Sequence, residues 1–170
     1  ALRHRDFRRL WASLLTSGFG TGMISVAVGW QVYAIHHSAF DLGLIGLAEF
    51  VPALVLALPA GQLADRVPRT LVAAWATLAE AVVAALLLVV TLNGAGSLWQ
   101  YVVLAALTGA TAGIGLPAAR SLTPEVAPAD LLAGAIALRS VAGQAASIAG
   151  PALGGLLFAV RPEATYSAGI

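Results

Sequence analysis

Gly61-Gln62-Leu63-Ala64-Asp65-Arg66-Val67-Pro68-Arg69 sets one carboxylate and two guanidiniums in a tight turn between two apolar runs, 42–64 and 70–92. A hydrocarbon layer about 30 Å thick is crossed by roughly 20 apolar residues in a helix, so each run is long enough to span it. Two such helices joined by so short a charged turn make a membrane hairpin. The pattern continues on both sides: further apolar runs occupy 10–35, 98–116 and 131–160, and a sixth starts near 164. The expected fold is an all-α, polytopic transmembrane helix bundle.

Composition agrees. Of 170 residues 59% are hydrophobic and 10% charged, with a mean hydropathy of +0.89, whereas soluble domains carry about 25% charged residues. All nine basic residues are arginine and fall in short islands, which gives nucleic acid no continuous basic face. There is no cysteine, and His4, His36 and His37 lie in polar segments, so no metal site and no cofactor are expected. No phosphate loop, nucleophile elbow or zinc pattern occurs either, and an enzyme is not expected.

The breaks between runs are readable as turns. His36-His37-Ser38 leads into the second span, Asn93-Gly94-Ala95-Gly96-Ser97 separates the third from the fourth, and Pro117 is expected to end the fourth. Thr123 to Asp130 forms the next break, with Asp130 as the cap of the fifth span and Pro151 as its kink site. Arg3, Arg5, Arg8, Arg9, Arg66, Arg69 and Arg120 gather on one side and only Arg161 on the other, which predicts a cytoplasmic N-terminus. Trp11, Trp99 and Tyr101 sit near span ends, where an aromatic belt or core packing would place them.

Two segments carry more than hydropathy. In the 61–69 turn, glycine permits close approach of helix ends, and an aspartate between arginines can make charge-assisted bonds to neighbouring helix ends. In Gly150-Pro151-Ala152-Leu153-Gly154-Gly155, Gly150 and Gly154 form a small-xxx-small face and Pro151 weakens the backbone ladder. The first segment resembles the signature loop of the major facilitator superfamily, with Gly61, Leu63, Ala64, Asp65, Arg66 and Arg69 matching and Pro68 standing where glycine is usual, as in the branch of siderophore and macrolide exporters. The second resembles the fifth-helix motif of exporters in the same superfamily.

The resemblance implies the N-terminal half of a two-half secondary transporter, in which the loop takes part in gating. It implies efflux of a small organic molecule, in antiport with a proton or other ion, across a bacterial-type inner membrane. The partners would be the lipid bilayer, the substrate, the ion and a C-terminal half beyond this chain. An uptake symporter and a non-transporting scaffold or sensor are the alternatives. Many proton-coupled exporters of the superfamily carry an arginine four residues before a glycine in the fourth helix; with Gly109 as that glycine, the position holds Ala105.

Glu49, Glu80 and Arg139 lie inside expected spans, where a charge must face a cavity or a partner. Glu80 and Arg139 lie about 15 Å and about 12 Å from the same face, depths that allow a structural ion pair. Glu49 lies about 10 Å below the opposite face and is the expected proton carrier. Gln31, Gln144 and Arg139 complete the polar cavity candidates. Glycines 18, 20, 22 and 29 in the first span, and 109, 113 and 115 in the fourth, allow close helix contact.

Overall fold

The computed structural model describes residues 5–94, 97–126 and 131–169, apart from the side chains of Asp6, His36, Leu63, Ala64, Asp65, Glu125 and Val126. Six helices follow in order: α1 (Arg5–His36), α2 (Ala39–Arg66), α3 (Arg69–Leu92), α4 (Leu98–Val126), α5 (Leu132–Val160) and α6 (Pro162–Ala168). The first five are long and apolar enough to cross a membrane, and no strand occurs among the described residues. Large apolar side chains such as Phe40, Leu58, Trp75, Ile148 and Leu156 face outward. Water would penalise so much exposed apolar surface; lipid does not.

Helix ends follow local chemistry. His37 takes a left-handed conformation (φ 52°) and its N–H donates to the Tyr33 carbonyl at 2.8 Å, closing α1. Ser38 Oγ then accepts from the Asp41 N–H at 3.3 Å and caps α2. Gly94, at φ 87°, ends α3 in the same left-handed way. Arg161 is extended and Pro162 opens α6, since the residue before a proline is kept out of the helical region.

The fourth helix departs from expectation. It passes Pro117 and Pro124 and ends at Val126 instead of Leu116. Proline removes one N–H, yet in a bundle the freed backbone groups find side chains and neighbouring helices: the Arg120 carbonyl, four residues before Pro124, accepts from Arg139 Nη1 of α5 at 3.3 Å. α2 and α5 likewise run through Pro52, Pro59 and Pro151. Asp130, the expected cap, lies outside the described residues.

Two parallel helix pairs hold the bundle. On α1, Phe7 packs with Ala135, Trp11 Nε1 donates to the Leu138 carbonyl at 2.9 Å, Gly18 meets Ala146 and Gly22 meets Gly150, so α1 and α5 climb together in register. On α4, Gly109 meets the Glu49 backbone and Gly113 that of Ala53, so α4 and α2 do the same. A Cβ on Gly113 would stand 2.6 Å from the Ala53 carbonyl oxygen. Exchanging α1 with α4, α2 with α5 and α3 with α6 maps every substantial helix contact onto another. The fold is therefore a three-helix unit used twice, a repeat that no sequence feature announced.

A buried polar knot closes the end remote from the α2–α3 turn. Gln31 Oε1, on a residue 7% exposed, accepts from Tyr166 Oη at 2.6 Å and from Thr91 Oγ1 at 3.1 Å, tying α1, α3 and α6. Tyr101 is buried in the same apolar cluster with Leu87, Val32 and Leu104. Tyr101 thus packs inside the protein and Trp11 is half-buried against α5, while Trp99 remains exposed, as a belt residue would.

Two expectations follow. Gly113→Leu should destabilise the intact protein by about 1–3 kcal/mol through overpacking, seen as a lower unfolding midpoint in detergent, whereas Gly43→Leu, with nothing within 4 Å of its Cβ position, should leave the midpoint in place. A double-mutant cycle between Gln31→Leu and Tyr166→Phe should return a coupling of about 0.6–1.7 kcal/mol, the range of hydrogen bonds between membrane helices.

Candidate functional site

Glu49 lies on α2 where the helix backbone meets Gly109 of α4. The missing side chain at Gly109 brings the two backbones together, and the carboxylate lines a cavity of about 180 Å³ between α1, α2 and α4. Thr21, Ser25 and Thr108 bring hydroxyls to the same cavity, and Ala105 forms part of its wall. The position that would hold an exporter's arginine is therefore within this chamber, filled by a methyl group. Among the described residues Glu49 has no ion-pair or hydrogen-bond partner.

Glu80 occupies a second chamber of about 250 Å³ between α1, α3 and α6, with Ser13, Thr16, Ser17, Thr21 and Thr77. It is not brought to Arg139. Depth allowed that pair, but the lateral arrangement excludes it: Glu80 faces α1, while Arg139 Nη1 donates to the Arg120 carbonyl at 3.3 Å and links α5 to α4. Burying an unpaired carboxylate in hydrocarbon is expensive; hydroxyls and a chamber large enough for water make Glu80's position tolerable.

The remaining candidates divide by location. Gln31 is committed to the Tyr166 and Thr91 knot and lines none of the described cavities. Gln144 is exposed on α5, and its carbonyl accepts from Ser147 Oγ at 2.9 Å. Gly150 and Gly154 press against Phe19, Gly22 and Met23 of α1, while Gly155 has open space around it. In the signature-like turn, Gly61 and Arg66 are exposed and Arg69, the first residue of α3, is half-buried; the side chains of Leu63, Ala64 and Asp65 lie outside the described residues. No group of three or more metal-ligating side chains occurs among the described residues.

The α1 hydroxyls escaped the sequence reading, although the signal was present. Ser13, Ser17, Thr21 and Ser25 recur every fourth residue, the spacing that puts side chains on one helix face. Single serines and threonines pass unnoticed in an apolar helix because each can satisfy itself on the preceding turn, as Thr21 does on the Ser17 carbonyl.

Residues 1–169 match the family model described as transmembrane secretion effector. Over 151 residues, 88% of this chain, the sequence is 30% identical to the uncharacterized MFS-type transporter YfiS of Bacillus subtilis (strain 168). The chain spans about a third of that relative's length, 35%. Two parallel helix pairs crossing at glycines, in a bundle built from a repeated three-helix unit, together with these matches, establish that the chain belongs to the major facilitator superfamily of membrane transporters.

Proposed function

We propose that this chain forms the N-terminal part of a secondary active exporter that moves a small organic molecule out of the cell at the expense of a proton gradient. The observation that carries the reading is Glu49, the one carboxylate among the described residues that line a hydroxyl-bearing chamber between α1, α2 and α4, with no basic residue among them to keep it ionised. A carboxylate so placed takes up and gives back a proton as its chamber opens to one side or the other. The family's description as a secretion effector supports export. Pro68 in the signature-like turn supports kinship with the siderophore and macrolide exporters.

In this reading the membrane is a bacterial-type inner membrane, and the arginines of α1 and of the α2–α3 turn hold the N-terminus in the cytoplasm. Alternating access comes from rocking this helix unit against a second one around a midplane site. Asp65, Arg66 and Arg69 latch the cytoplasmic side. The Gly150–Gly154 face keeps α5 close to α1 while Pro151 leaves the contact pliable.

The intact protein, expressed in a strain stripped of its own exporters, should lower the accumulation of at least one toxic organic cation or macrolide. Asp65→Asn should abolish that effect while membrane insertion stays normal; undiminished efflux would remove the gating role, and substrate-dependent accumulation in place of efflux would identify an importer. A cysteine at position 49 should react with a membrane-impermeant maleimide, and one at position 31 should not, because Gln31 is packed among α1, α3 and α6. An unreactive position 49 would mean a sealed bundle, as a scaffold or sensor requires.

A further inference from the structure

The hydroxyl ladder of α1, Ser13, Ser17, Thr21 and Ser25, rises about 18 Å along one face, and the two chambers open along it. Ser13, Ser17 and Thr21 line the Glu80 chamber; Thr21 and Ser25 line the Glu49 chamber. Thr21 and Ile24 belong to both walls, so the two chambers adjoin at a single turn of α1. Among the described residues no other titratable or charged side chain lines either chamber from α1, α2, α3, α4 or α6.

Three hydroxyls on the chamber walls are held by the backbone. Thr16 Oγ1 donates to the Ala12 and Ser13 carbonyls, Thr21 Oγ1 to Ser17 at 3.0 Å, and Thr108 Oγ1 to Leu104 at 3.0 Å. With their protons on backbone carbonyls, these hydroxyls turn only lone pairs towards the chambers. A wall of acceptors favours a proton carried by water, and chambers of this size admit water molecules.

We propose that Glu80 and Glu49 are two stations of one proton path running along α1 through Thr21. This rests on the transporter reading above. A proton taken up on the Glu80 carboxylate leaves that oxygen for chamber water, which the Thr21 oxygen holds in place as an acceptor, and that water gives up another of its protons towards Glu49. Each hop forms one O–H bond and breaks one, and the net result is a neutral Glu49 and an ionised Glu80. Glu80, on a helix that contributes nothing to the α1–α2–α4 chamber except Leu87, acts on the proton and not on the exported molecule.

The test has two arms on the intact protein. Dicyclohexylcarbodiimide, an apolar reagent that modifies protonated carboxyls, should label both Glu80 and Glu49, less as pH rises, with the sites located by mass spectrometry; Glu80→Gln should lose one label and keep the other. Absence of label at Glu80 at every pH overturns the path. In proteoliposomes, using the compound found by the resistance assay, Thr21→Val should lower the ratio of pH-gradient-driven transport to gradient-free counterflow by about tenfold or more, and Thr21→Ser should restore it. An unchanged ratio in Thr21→Val, or transport driven by sodium in place of the pH gradient, overturns the path. Wild-type protein that shows neither driven transport nor counterflow overturns the transporter reading itself, and the path with it.

Discussion

Helices in lipid gain little from hiding leucine against leucine, because the surrounding hydrocarbon is already as apolar as the side chain. Association must come from contacts that lipid cannot imitate, and here those are backbone against backbone. Gly18, Gly22, Gly150 and Gly154 strip the α1–α5 seam to its main chains, and Gly109 and Gly113 do the same for α4 on α2. The two seams fix where α1 and α2 stand, and with them much of what is polar. The Glu49 chamber lies beside one of them, and the α1 ladder lies on the helix that forms the other.

The symmetry between the seams is exact in topology and broken in chemistry. Gly18 meets the methyl of Ala146 on one seam and Gly109 meets the backbone of Glu49 on the other, so one glycine contact carries a carboxylate and the other a methyl group. A repeated scaffold tolerates such a change because the contact is made by the backbone and leaves the side chain free to point into a chamber. The same economy explains why Ala105 is small: an arginine there would enter the Glu49 chamber and hold the carboxylate ionised.

Much of this was legible in the chain. Hydropathy marked five membrane helices, and the 61–69 and 150–155 segments pointed to the superfamily that the comparisons establish. Other features need lateral information that hydropathy does not hold. Glu80 and Arg139 share a depth but not a side, since α3 and α5 do not pack substantially on each other. Gln31 looked like a cavity residue because its partner Tyr166 is far away in sequence. Pro117 looked like a stop because proline ends helices in water, where the freed carbonyl finds solvent, whereas in a bundle it finds the neighbouring helix.

The pairing of α1 with α5 and of α2 with α4 means that the two three-helix units are interlocked, each lending its middle helix to the other's first. Neither unit can therefore complete its packing alone. During synthesis α1 enters the bilayer with its glycine face open to lipid, and its seam closes only when α5, more than a hundred residues after the start of α1, has been inserted. Assembly is thus post-insertional by construction: the order in which these helices leave the ribosome is not the order in which they find their partners, and α1, made before α5, must wait for it.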